Sequence, residues 1–108
     1  MSQFEPASAL QALAQEYQQR AEAIRRDLQR SHSPGFAEQA TQRQNDEVLV
    51  ALLEEAEAGL LAVRDALVRL EEGRYGQCLG CAEPIKLERL LALPAAEFCL
   101  ACASRASV

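Results

Sequence analysis

No stretch of this 108-residue chain is apolar for long enough to cross a bilayer, and its start lacks the positive, then hydrophobic, pattern of a secretory signal. A cytoplasmic protein that avoids membranes is therefore expected. Histidine occurs once, at His32, between Ser31 and Ser33 in a stretch that reads as a turn, and it reads as a solvated loop residue rather than a general base. There is no glycine-rich phosphate loop. The carboxylates Glu54, Glu55 and Glu57, and the pair Glu71 and Glu72, lack metal-ligand spacing and read as solvated helical faces. No catalytic constellation results, and an enzyme is not expected. Positive charge is in the minority. The formal net charge of −5 counts against nonspecific binding to duplex DNA, because that affinity comes from Lys and Arg displacing counterions. Aromatic residues, 5% of the chain, leave few platforms on which bases could stack, so a nucleic-acid-binding protein is disfavoured.

The strongest chemical signal is Cys78, Cys81, Cys99 and Cys102, two Cys-x-x-Cys pairs in the last third of the chain. Each pair can chelate from a tight turn. Four thiolates leave a zinc ion no open position for substrate or water, so the predicted role is one structural Zn²⁺. Two redox motifs would need a βαβ context that the chain does not supply. Disulfides or free thiols, and a rubredoxin-like iron site, remain the alternatives on spacing alone. A reducing cytoplasm favours metal.

Two helical patterns precede the cysteines. From about residue 7 to 30, Leu10, Leu13, Tyr17, Ala21, Ile24 and Leu28 recur at spacings of three and four, giving one apolar stripe. Ser31, His32, Ser33, Pro34 and Gly35 then predict a break, since the prolyl ring opposes helix continuation and glycine permits a turn. From about Phe36 to Glu72 a second stripe runs Leu49, Leu53, Ala56, Leu60, Val63, Leu67, Leu70. Its 3.5-residue average marks a coiled coil. Gly59 interrupts it at a cost of about 1 kcal/mol in helix propensity. At about 1.5 Å per residue the arms would be about 36 and 55 Å long.

Joined by a short turn, the two arms predict a mainly α protein: a long antiparallel coiled-coil hairpin with a small C-terminal four-cysteine zinc finger. The expected boundaries are a hairpin over 1–72 with its tip near 31–40, a finger over 73–103 and a flexible tail over 104–108. Pairing outward from the turn would exhaust the first arm near position 60 and leave the last dozen residues of the second to carry the finger. Leu53, Leu60 and Leu67 are expected to face Leu28, Tyr17 and Leu13 within one monomer. Gly73 should end the second helix, and Lys86–Leu91 should form a turn or two of helix before Pro94. Arg20, Arg25, Arg26 and Arg30 make the first arm basic towards its distal end, either as dipole compensation and ion pairing or as a partner-binding stripe.

The segment Glu72-Gly73-Arg74-Tyr75-Gly76-Gln77-Cys78-Leu79-Gly80-Cys81, followed by Glu83-Pro84-Ile85, Arg89-Leu90, Pro94 and Phe98-Cys99-Leu100-Ala101-Cys102, resembles the DksA/TraR family of bacterial RNA polymerase regulators. The resemblance is close in the finger and architectural in the hairpin. It implies a transcription regulator that binds RNA polymerase directly, without sequence-specific DNA binding, and inserts its coiled-coil tip into the secondary channel, altering open-complex lifetime. A zinc-ribbon and coiled-coil adaptor that never enters polymerase would share the same 3.5-residue spacing and is the alternative.

Two departures from the family pattern stand out. Longer members carry an acidic tip, Asp-x-x-Asp-x-Ala, which an ungapped register places on Gly35-Phe36-Ala37-Glu38-Gln39-Ala40. Glu38 and Ala40 match and are the expected tip residues, whereas Gly35 replaces the first acid. The same register puts Ala62, Leu93 and Ala103 where basic residues would contact guanosine tetraphosphate. None can pair with phosphate, so the resemblance does not extend to alarmone sensing.

Overall fold

The computed structural model describes residues 3–30 and 35–106. The predicted break at Ser31, His32, Ser33 and Pro34 lies outside the described residues, as do the last two residues of the expected tail. Among the described residues four helices follow one another, α1 over Pro6–Leu28, α2 over Phe36–Glu71, α3 over Leu87–Ala92 and α4 over Leu100–Ala106. α1 starts on a proline at its first position, where the missing N–H is no loss. α2 ends as Gly73 suggested. With φ of 75° there, the Gly73 N–H donates to the Leu70 carbonyl at 3.2 Å and the Arg74 N–H to the Arg69 carbonyl at 2.8 Å. This paired closure satisfies carbonyls that the helix end would orphan. α4 continues through Ser104, past the expected finger boundary.

α1 and α2 form the antiparallel hairpin, and at 36 residues α2 is about 54 Å long, close to the 56 Å long axis of the molecule. Their buried seam is narrower and smaller-grained than the leucine stripe implies. Leu10, Ala21 and Ile24 on α1 meet Ala56, Val63 and Ala66 on α2. Leu13, Tyr17, Leu67 and Leu70 pack around the Leu10, Val63 and Ala66 cluster, as expected for Leu67, while Leu53 and Leu60 flank the seam half-buried.

Tyr17 falls within one residue of the expected Leu60, but the reach of α1 along α2 differs from the one expected. Tyr17 lies against Gly59, where an added Cβ would come within 2.5 Å of the ring, and Leu10 lies against Val63 and Ala66. α1 thus runs beside α2 almost to its C-terminal end, and Leu28 comes level with about Val48 by simple antiparallel counting. The stretch of α2 beyond the reach of α1 is its beginning, not its last dozen residues. The cause is steric: the phenol ring needs a residue without a side chain opposite it, and Gly59 is the one glycine inside α2.

Candidate zinc centre and hairpin tip

The finger begins where α2 closes. A tight hairpin follows Gly76, with the Ile85 N–H donating to the Gly76 carbonyl at 2.7 Å and the Cys78 N–H to the Glu83 carbonyl at 2.9 Å. Ala82 closes the turn in the left-handed region, φ 66°, a strained setting for a residue with a Cβ. This presents Cys78 and Cys81 on one knuckle. The second knuckle holds Cys99 and Cys102 at the start of α4. The two are tied together by the Leu79 N–H donating to the Glu97 carbonyl at 2.8 Å. Gly80 permits the approach, since a Cβ there would stand 3.0 Å from the Cys102 Sγ.

The four Sγ atoms all lie within 4.8 Å of one another, with Cys81 and Cys99 3.9 Å apart. A tetrahedral Zn²⁺ with Zn–S bonds of about 2.3 Å requires sulfurs about 3.8 Å apart, so the cluster fits the ion. The alternative of paired disulfides fits it less well, because all four thiols converge on one point and all are free. Backbone donors aim at the sulfurs. The Cys99 N–H and the Gly80 N–H each donate to the Cys78 Sγ at 3.3 Å, and the Cys102 N–H donates to the Cys99 Sγ at 3.5 Å. The Cys99 N–H, with help from the amides of Cys81 and Gly80, holds the Cys78 thiol down at about 6 against the opposing effect of its burial. Cys102 is pushed up to about 12, chiefly by its contacts with the Cys78 and Cys99 thiols. One thiolate is ready, and a dication is what lets the others ionise beside it.

A small apolar core of Cys78, Ile85 and Leu90, backed by Phe98, surrounds the knuckles. Arg89 braces it by donating from Nε to the Phe98 carbonyl at 2.9 Å. The residue that joins finger to hairpin had no separate signal in the sequence. Tyr75 packs against both cores, stands 6.4 Å from the Phe4 ring and donates its hydroxyl to the Pro94 carbonyl at 2.7 Å. Burial raises its phenol pKa, partly offset by the nearby charge of Arg69. Arg69 itself is 5% exposed, and its Nη2 has no hydrogen-bond partner among the described residues.

At the other end, Glu38 and Ala40 are both exposed in the first turns of α2. The Glu38 carboxylate curls back towards Gly35, where a Cβ would meet its Oε2 at 3.0 Å. They lie far from the cysteines along α2. Of the residues at the expected alarmone positions, Ala62 and Ala103 are half-buried and Leu93 is exposed. Three of the arginines read as a basic stripe are engaged within the hairpin: Arg20 with Glu16 at 2.9 Å, Arg25 with Glu57 at 2.9 Å and Arg30 with Asp27 at 3.3 Å.

Residues 73–107 match the family model for the prokaryotic dksA/traR C4-type zinc finger, and residues 7–70 match that for the DnaK suppressor protein-like N-terminal domain. The chain belongs to the DksA/TraR family. Its C4-type finger holds one structural zinc. Among solved structures it is similar to transcription factor DksA2 from Pseudomonas aeruginosa, with 34% identity over 93% of this chain and 78% of that one, TM-score 0.79. It is also similar to the DnaK suppressor protein from Agrobacterium tumefaciens C58, with 29% identity over 88% of this chain and 91% of that one, TM-score 0.50. Comparison with curated protein sequences finds no significant match. DksA/TraR proteins are regulatory factors rather than enzymes. Among the described residues no helix is long and apolar enough to cross a membrane.

Proposed function

We propose that this chain is a cytoplasmic, monomeric transcription regulator that binds RNA polymerase directly and inserts the tip of its hairpin into the secondary channel to modulate initiation. The observation that carries the reading is the shape of a DksA/TraR member: a helical hairpin whose longer helix is about 54 Å long, joined to a finger stapled by four cysteines. Docking through arm and finger needs no DNA sequence to be read, in keeping with the net charge of −5. In this reading Glu38 and Ala40 approach the catalytic centre, and Ala62, Leu93 and Ala103 leave the factor without a phosphate site for guanosine tetraphosphate.

The test is competition for core RNA polymerase, crosslinking from the tip, and transcription in vitro from a ribosomal-type promoter with and without guanosine tetraphosphate. Binding with crosslinks inside the secondary channel, altered open-complex lifetime and little alarmone synergy are expected. A wild-type protein that does not compete for the channel would transfer the assignment to a coiled-coil adaptor. Strong synergy would restore an alarmone site.

A further inference from the structure

Residues 48–53, Val-Leu-Val-Ala-Leu-Leu, are apolar without interruption. A helix that is hydrophobic all round is normally buried all round. Here it is not. Leu49 and Leu53 turn towards α1 and are half-buried, while Val48, Val50 and Leu52 are 59%, 43% and 44% exposed. This is the level at which α1 ends. At about 100° per residue Val48 and Leu52 share one side of α2 and Val50 stands nearly opposite. Carboxylates bracket the segment, with Glu47 before it and Glu54 and Glu55 after it, all exposed.

We propose that Val48, Val50 and Leu52 form an apolar collar gripped on two sides by a concave protein wall. On the reading above, this is the wall of the polymerase channel. A flat partner or a second hairpin would cover one side and leave the other wet. A second copy is further disfavoured because two-fold antiparallel pairing about the collar sets Glu47 of each chain against Glu54 of the other, like charge on like. The acids ask instead for a wall with basic groups on either side of an apolar strip. Val50 lies fourteen residues past Phe36, about 21 Å along the helix, so the partner must admit at least that depth of hairpin.

The experiment uses the zinc-loaded full chain competing with labelled wild-type protein for core RNA polymerase. Three variants are compared: Val50→Gln alone, Val48→Gln with Leu52→Gln, and all three together. Glutamine keeps helix propensity, and circular dichroism with zinc content confirms folding. Each side should weaken binding by about threefold or more, and the triple variant by about tenfold or more, while Leu61→Gln with Val68→Gln, also exposed on α2, stays within about twofold. Wild-type binding that the triple variant retains would overturn the collar alone. Sensitivity confined to one side would overturn the enclosing wall. A wild type that does not compete would overturn the polymerase reading and the collar with it, and a wild-type dimer dispersed by these variants would assign the surface to a second copy.

Discussion

The hairpin and the finger hold themselves together in opposite ways. The hairpin spreads its cohesion along a seam of small contacts, from Ile24 and Ala21 through Tyr17 on Gly59 to Leu10 on Val63. The finger concentrates its cohesion at one point, with Ile85, Leu90 and Phe98 as its own large apolar groups around the cysteines and Tyr75 and Phe4 packed against them. A distributed seam loses stability in increments, whereas a point staple fails at once. The difference follows from size: a finger of about thirty residues cannot offset its chain entropy by burial alone.

The largest expected effect tests that contrast directly. Structural zinc in finger peptides contributes about 10–16 kcal/mol of apparent binding free energy near neutral pH, so Cys99→Ser or chelation should unfold the finger. Zinc content by mass spectrometry should fall from about one equivalent while most helical circular dichroism persists in the arms. A reduced, metal-free wild type with an intact finger would break the comparison. Next in size is Gly59→Ala. Its gain of about 1 kcal/mol in helix propensity is opposed by overpacking against Tyr17, which costs about 1–3 kcal/mol. A net loss on thermal melting is expected, turning into a gain when Tyr17→Ala opens the space. If Gly59→Ala stabilises by itself, the ring does not set the register.

Tyr75→Phe should cost about 1 kcal/mol by leaving the Pro94 carbonyl without its hydroxyl donor. The pH dependence sharpens this. Burial raises the Tyr75 phenol above its ordinary 10.0, so the folded state prefers it protonated. The associated stability is fully present below that value and is lost as pH climbs through the raised one. Wild type should lose stability over that alkaline range more steeply than Tyr75→Phe. The smallest effect on stability is expected at the tip, where Glu38→Ala removes a carboxylate from the first turn of α2 at a cost of about 0.3–1 kcal/mol. Polymerase affinity should be nearly intact in Glu38→Ala and in Ala40→Thr while any effect on open-complex lifetime drops.

The parts of the molecule fixed by local chemistry were legible from residues alone. Cysteine spacing located the metal site, Gly73 the end of α2 and the 3.5-residue stripe the hairpin. How far α1 runs along α2 was not legible, because sliding one heptad stripe along another preserves the pattern of apolar residues. What breaks the degeneracy is one cross-helix contact, Tyr17 on Gly59, and Gly59 reads in sequence as a mere propensity penalty. Ala66 escaped notice for a related reason. At the closest approach of two helices the small residue is the buried one, while Leu53 and Leu60 stay at the margin. Tyr75 stood in the finger motif without any sign that it would serve the hairpin as well.

That double membership bears on how such proteins can diverge. Tyr75 packs against the cluster of Leu10, Val63 and Ala66 on one side and that of Cys78, Ile85 and Leu90 on the other, with the Pro94 carbonyl holding its hydroxyl. Hairpin and finger are therefore packed as one unit. A recombinant that joined this finger to a foreign arm would have to bring matching partners for the tyrosine at both ends of the junction, so change is freer at the far tip of α2 than at the seam beside the metal.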